Sequence, residues 1–252
     1  MMVVKKQCLA VLVSLNFISS AASAGNIGAE EQTTSHWFFS ASSGPVWTNA
    51  GEDQTISVLP TVTNTYVANR NTRTLIASEI FFGYQSNIML NYFGQLGVSY
   101  AFTDLIKFSG NIWEDSDPNS NYYAYRYDAM YTHINIKGKI YKQWTTTVAP
   151  YLGASLGVGF NRTDYFYATP LVSGKEPMQP FMNRSLYDAF AYTFEAGFQK
   201  IINTHLFGGI GYQFSDWGKN SFNPGSGSNP SLAYKTQHFY TNGLQLYLTY
   251  IR

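Results

Sequence analysis

The 252-residue sequence contains a single cysteine, Cys8, so no intrachain disulfide can brace the chain and no thiolate cluster can hold a metal. Charge is scarce as well. Asp, Glu, Lys and Arg together make up 12% of the residues, against about a quarter in an ordinary soluble domain. The formal net charge of +1 lacks the strong basic excess that nucleic-acid binding uses, so no nucleic-acid partner is expected. Beyond the first two dozen residues, no apolar run approaches the roughly 20 residues a membrane helix needs. Aromatic residues are abundant instead: 17% of the chain, with 20 tyrosines and 18 phenylalanines.

The opening residues narrow the classes further. "MMVVKK" supplies Lys5 and Lys6, "CLAVLVSLNFI" is a short apolar core, and "SSAASA" ends in the small-x-small pattern Ala22, Ser23, Ala24, which together read as an export signal over residues 1–24. Loss of that segment removes Cys8 and two of the 16 basic residues, leaving 14 against 15 acidic ones and a net charge of −1. An exported chain that is poor in charge, rich in tyrosine and without an apolar helix has one membrane-embedded option, a closed β-barrel.

A barrel requires segments of about ten alternating residues, and seven are present. Their outward positions include Ile76, Ile80, Phe82 and Tyr84; Tyr92, Leu96, Val98, Tyr100 and Phe102; Ile134, Ile136 and Ile140; Leu152, Leu156 and Val158; Phe190, Phe194 and Phe198; Ile210 and Tyr212; and Leu244, Leu246, Leu248 and Tyr250. The opposite faces hold Gly, Ser, Thr, Gln and a few isolated charges. A soluble sandwich would carry lysine and glutamate on its polar face, so the pattern favours lipid outside and a polar lumen inside. The eighth segment, His36–Trp47, alternates poorly and its register is open. Short turns fall near 86–91, 141–146 and 201–204, and longer connections at about 48–73, 114–121, 163–186 and 217–236. The expected fold is therefore all-β: an eight-stranded antiparallel up-and-down transmembrane β-barrel over 36–252, after a short periplasmic segment over 25–35, with both termini periplasmic.

The lumen-facing set contains Glu79, His133, Lys137, Lys139 and Glu195. Unpaired charge in a narrow interior is costly, which predicts pairing of Lys137 or Lys139 with Glu195 or Glu79; separate hydration at the barrel ends is the alternative. Tyr84, Tyr92, Phe102, Phe190, Phe198, Leu244, Leu246, Leu248 and Tyr250 form the lipid-facing band and its aromatic girdle. Alternation continues past the membrane through Ile106, Phe108 and Ile112 and resumes at Tyr123, Tyr125 and Tyr127. This predicts a protruding, tyrosine-rich hairpin, with Tyr165, Phe166 and Tyr167 beside it, as a surface for binding partners.

Catalysis has thin support. Of four histidines only His238 falls at the outer rim, where Asp164, Asp216, Ser185 and Ser231 could approach it; a rim histidine reads more simply as interfacial, so no enzyme activity is expected. "EDSDPNSN", with Asp115, Asp117 and Asn119, starts like a calcium loop but lacks the glycine and distal glutamate of that pattern, and reads as a solvated tip. No metal and no cofactor is expected.

The stretches "YTNGLQLYLTYIR", "YQFSDWGK", "GASLGVGFNR" and "GNIWEDSDP" resemble small outer-membrane barrels of the OmpA-like and opacity-protein type, and the likeness covers most of the chain. The resemblance implies a monomeric barrel in the bacterial outer membrane, in contact with outer-membrane lipid and lipopolysaccharide and inserted by the outer-membrane assembly machinery. Arg252 departs from the aromatic residue usual at the end of the assembly signal, a role that Tyr250 is expected to take. The resemblance specifies the scaffold and not an activity; from the sites on that scaffold the expected function is structural, with surface loops that bind host or environmental partners in adhesion. A narrow pore for small solutes is the alternative reading, and a lipid A- or phospholipid-modifying enzyme the third.

Overall fold

The structure, a computed structural model, describes residues 35–49, 51–59, 62–145, 147–176, 182–224 and 234–252. The expected export signal, most of the 25–35 segment, and Ser231 lie outside the described residues. In chain order the strands are β1 (His36–Thr48), β2 (Gln54–Leu59), β3 (Val62–Ala68), β4 (Arg73–Met89), β5 (Tyr92–Thr103), β6 (Ile106–Glu114), β7 (Asn121–Met130), β8 (Thr132–Lys142) and β9 (Val148–Pro170). They continue with β10 (Met182–Asn183), β11 (Ser185–Ile201), β12 (Leu206–Asp216), β13 (Asn220–Ser221), β14 (Asn223–Pro224), β15 (Lys235–Thr236) and β16 (Tyr240–Ile251).

Eight of these strands close a ring. The antiparallel pairings run β1–β4–β5–β8–β9–β11–β12–β16 and return to β1, so each of these strands has a partner on both sides within the ring. β1 pairs with Arg73–Gln85 of β4 along its whole length, which fixes the register that its own Ser-Ser-Gly-Pro stretch leaves open.

One end of the ring has tight turns made by local side chains. Asn91 adopts a left-handed φ of 64° between β4 and β5. The Thr145 hydroxyl accepts from Val148 N at 3.0 Å, and Asn203 Oδ1 accepts from His205 N and Leu206 N at 3.0 and 2.8 Å. These are the side-chain-to-backbone turns that Asn and Thr favour. His36 and Arg252 meet at this same end, where His36 Nδ1 donates to the Arg252 carbonyl at 2.8 Å.

At the other end the wall keeps climbing. β3 leads into β4, β5 into β6 across a break at Asp104 and Leu105, and β7 into β8 across Tyr131, while β9 runs unbroken for 23 residues. Above the ring they pair in the order β9–β7–β6–β3–β2. The residues of these strands that face inward here are mostly apolar, many of them aromatic, with Asn64 among the polar exceptions.

The alternation sorts the ring as the sequence implies. Ile80, Phe82, Tyr84, Leu96, Val98, Ile136, Leu152, Leu156, Phe190, Phe194, Phe198, Leu244, Leu246, Leu248 and Tyr250 are exposed on the outside. Tyr92 is half-buried, and Phe102 is 37% exposed. A continuous apolar belt on a closed sheet is stable only against hydrocarbon.

Candidate functional site

The lumen is filled by four charged side chains. Lys137 on β8 is in ion-pair contact with Glu79 on β4; its Nζ lies 2.9 Å from Glu195 Oε1 on β11, and Lys139 Nζ reaches that same oxygen at 3.2 Å. The four are 1–8% exposed, and the two ammonium groups balance the two carboxylates. This neutrality makes burial tolerable, since an uncompensated charge there costs several kcal/mol. Rings crowd the same space. Lys139 Nζ lies 4.7 and 4.8 Å from the Tyr151 and Tyr247 ring centres, and Lys137 Nζ 5.4 Å from that of Phe81. Toward the tight-turn end, Tyr141 donates to Gln95 Oε1 and Gln95 Nε2 to Gln85 Oε1, both at 2.9 Å. Phe38 packs on Phe81 at 4.7 Å beside Ile251.

His133, the fifth candidate, is not part of the ion cluster. Its fully buried ring stacks on Trp217 at 4.3 Å. Trp217 belongs to the connection between β12 and β16, which turns down into the barrel mouth. Its Nε1 donates to Thr241 Oγ1 at 2.8 Å, and Asn161 Nδ2 on β9 donates to the Trp217 and Lys219 carbonyls, both at 2.8 Å. Gly218 makes the turn possible, with φ of 81° and Ala189 Cβ and Phe190 O each 2.5 Å from where a side-chain carbon would sit.

Above Trp217 the wall extension encloses an aromatic cap. Tyr66, Phe108, Tyr125, Tyr127 and Phe166 from the wall pack against Phe222, Tyr234 and Phe239 of the β12–β16 connection. This corrects the expectation that Tyr123, Tyr125, Tyr127 and Phe166 form an exposed binding surface. All four are buried, Tyr125 and Tyr127 at 2% and 1% exposure. The hairpin is not a free ribbon but part of a curved wall, and its alternate side chains point into the cavity that the last connection fills. Tyr165 and Tyr167 do face outward. Burial pushes the Tyr66 hydroxyl up to about 12, helped by neighbouring Tyr125. Tyr234 is likewise raised to about 12 by burial, against hydrogen bonds from Tyr125 and Tyr127 that lower it.

At the rim, His238 Nδ1 donates to Asp216 Oδ2 at 2.6 Å, while Asp216 Oδ1 accepts from Gly218 N at 2.8 Å. The pair ties the last connection to the top of β12. Of the other residues weighed as its neighbours, Asp164 is engaged by Arg162 and Arg184 at 2.6 and 3.0 Å, and Ser185 is buried on β11 opposite Thr163. His36 and His205 sit at the tight-turn end. Asp117 spends its carboxylate capping a short 3-10 turn, accepting from Asn119 N at 3.0 Å, and Lys175 bridges to Glu114 at 2.8 Å.

Sequence reasoning did not anticipate Phe38 and Phe81 in the lumen, or Trp217 as the stopper. The cue for Trp217 was "SDWGK", where an acid and a glycine bracket a large ring in a connection otherwise made of turn residues.

No known family's sequence pattern matches the chain, and no curated protein matches it in sequence. Among solved structures the chain is similar to OprG, an outer-membrane protein of Pseudomonas aeruginosa, with 14% identity over 86% of this chain and 99% of that one at a TM-score of 0.42. It is similar also to neisserial surface protein A, with 10% identity over 85% and 96% at 0.41, and to the attachment invasion locus protein of Yersinia pestis, with 10% over 86% and 97% at 0.34. The strand pairings and the apolar belt of the chain itself make it an all-β, eight-stranded antiparallel transmembrane barrel.

Proposed function

We propose that this protein is a monomeric, non-conducting and non-catalytic barrel of the bacterial outer membrane, a structural element of the envelope that holds a rigid surface module for binding partners outside the cell. The tight-turn end, with His36 and Arg252, then faces the periplasm, and the climbing wall faces outward. The observation that carries this reading is the double closure of the lumen, by the Lys137–Glu79–Glu195–Lys139 cluster and by Trp217 under the aromatic cap. An eight-stranded ring has an interior that side chains just fill, which weighs against the narrow-pore reading.

A preorganised surface is the useful product of such a cap, because binding then pays little ordering entropy. Catalysis is weighed down by the rim geometry. Asp216 holds one ring nitrogen of His238, and among the described residues no hydroxyl or thiol stands in hydrogen-bond contact with the other.

Conductance across planar bilayers, measured beside a pull-down on intact host or environmental cells, tests the reading. The expected result is no stable single-channel step together with retention on cells. A steady, ohmic conductance from the folded protein would refute the sealed scaffold, and absence of retention on every surface tried would leave the envelope role without the binding one.

A further inference from the structure

The outer side of the wall extension carries a feature that neither the lumen nor the cap explains. Between β7 and β9 the register slips, so that Arg126 faces Tyr167 while Asp128 faces Asp164. The one extra residue of β9 falls beside Tyr165, whose φ of 54° lies in the left-handed region that non-glycine side chains avoid. A bulge of this kind re-aims side chains, and strained backbone of this kind gathers at functional sites. Here it turns Phe166 into the cap and brings Tyr165 and Tyr167 out on the same side. Their rings lie parallel, 6.4 Å apart and 5° from coplanar in tilt, and are 66% and 58% exposed.

A groove of about 710 Å³ runs along this pair and is lined by Arg126, Asp128, Ser109 and Thr169. Asp128 Oδ1 is buried there and, among the described residues, accepts no hydrogen bond. A buried carboxylate oxygen without a donor costs free energy until one arrives. The groove thus combines a flat aromatic face, a half-buried carboxylate, neutral hydroxyls and a cation. Apolar C–H faces beside many hydroxyls are the chemistry of a sugar ring, and Arg126 suits an acidic or phosphorylated one.

Position selects the source of the sugar. On β9 the outward series runs Leu152, Leu156, Val158 and Phe160, then the Arg162–Asp164–Arg184 cluster, then Tyr165 and Tyr167. At about 3.3 Å per residue and a strand tilt near 40°, Tyr167 stands roughly 15–20 Å beyond Phe160. The groove therefore looks sideways, on the lipid side of the wall, beyond the roughly 5–8 Å that headgroups add to each face of the hydrocarbon core and at the height of sugars carried on a glycolipid. We infer that the Tyr165–Tyr167 groove binds a core sugar of lipopolysaccharide in the surrounding leaflet. This rests on the proposed outward orientation of the wall.

The test uses the full chain folded in detergent micelles, with delipidated core oligosaccharide and lipid A as separate probes for titration calorimetry. Heat-dependent gel migration verifies that each variant is folded. Binding of the oligosaccharide by the parent, a loss of at least tenfold in Tyr165→Ala/Tyr167→Ala, a smaller loss in Asp128→Asn and unchanged lipid A binding support the site. No binding by the parent, or equal affinity in the folded variants, overturns it. On intact cells, Thr169→Cys should react with a membrane-impermeant maleimide above the parent's background. Labelling without oligosaccharide binding sinks the sugar site and leaves the orientation standing, whereas oligosaccharide binding without labelling removes the orientation and with it lipopolysaccharide as the occupant.

Discussion

Replacing Glu195 by glutamine removes one negative charge from a lumen in which two carboxylates balance two lysines, while keeping the size and shape of the side chain. Glu195 Oε1 touches both ammonium groups, at 2.9 Å for Lys137 and 3.2 Å for Lys139, so its loss leaves Lys137 paired with Glu79 and Lys139 without a partner. Breaking a buried ion pair by removing one member costs about 3–5 kcal/mol, which is a shift of about 10²- to 10⁴-fold in the unfolding equilibrium. The double variant Glu195→Gln/Lys139→Met restores neutrality and keeps the Lys137–Glu79 contact. Because neutral replacement of a buried pair is often nearly free, it should lie within about 1–2 kcal/mol of the parent. Guanidinium unfolding of the full chain in phospholipid vesicles, followed by tryptophan fluorescence, measures both, and the coupling between the two sites is read from the cycle. A Glu195→Gln cost below about 1 kcal/mol would refute the reasoning. So would single and double variants of equal stability, because the lumen would then be wet enough to solvate a free ammonium.

Other expectations follow from the cap and the belt. Trp217→Ala removes a fully buried ring held between His133 and Thr241 and should cost about 3–5 kcal/mol in the same unfolding measurement, with the 217–224 segment becoming open to protease in the folded barrel. Leu246→Arg places a charge in the middle of β16 on the outer face and should cost about 2–4 kcal/mol, whereas Thr169→Arg above the belt should cost about 1 kcal/mol or less; equal costs would place the belt elsewhere. Tyr66 and Tyr234 have hydroxyls raised to about 12 in the folded chain, so the unfolded chain loses their protons first. The stability they contribute is whole below about pH 10 and falls away as pH rises toward 12, by about 3 kcal/mol for each. Near-UV circular dichroism should report loss of cap packing across that window while the far-UV strand signal persists.

The sequence by itself determined the architecture and the two faces of its wall. Period-two alternation is a local property, and a closed sheet in lipid translates it directly into outside and inside, so Leu246 and Lys137 could be assigned to opposite faces without knowledge of any neighbour. Turn positions were legible for the same reason, since Asn203 and Thr145 bond backbone groups two or three residues away. Tertiary structure decided everything that depends on stagger. Which lysine meets which glutamate follows from the offset accumulated around eight strands, which no single strand records. The register of β1 was likewise set by β4 and β16 on either side, because its small residues and Pro45 carry no strong preference of their own. Most consequential was the wall above the membrane. There, alternation at Tyr123, Tyr125 and Tyr127 separated two faces but could not say which one the chain would later cover. The answer came from residues about a hundred positions downstream, when Trp217, Phe222, Tyr234 and Phe239 folded into the mouth and turned an expected binding surface into a core.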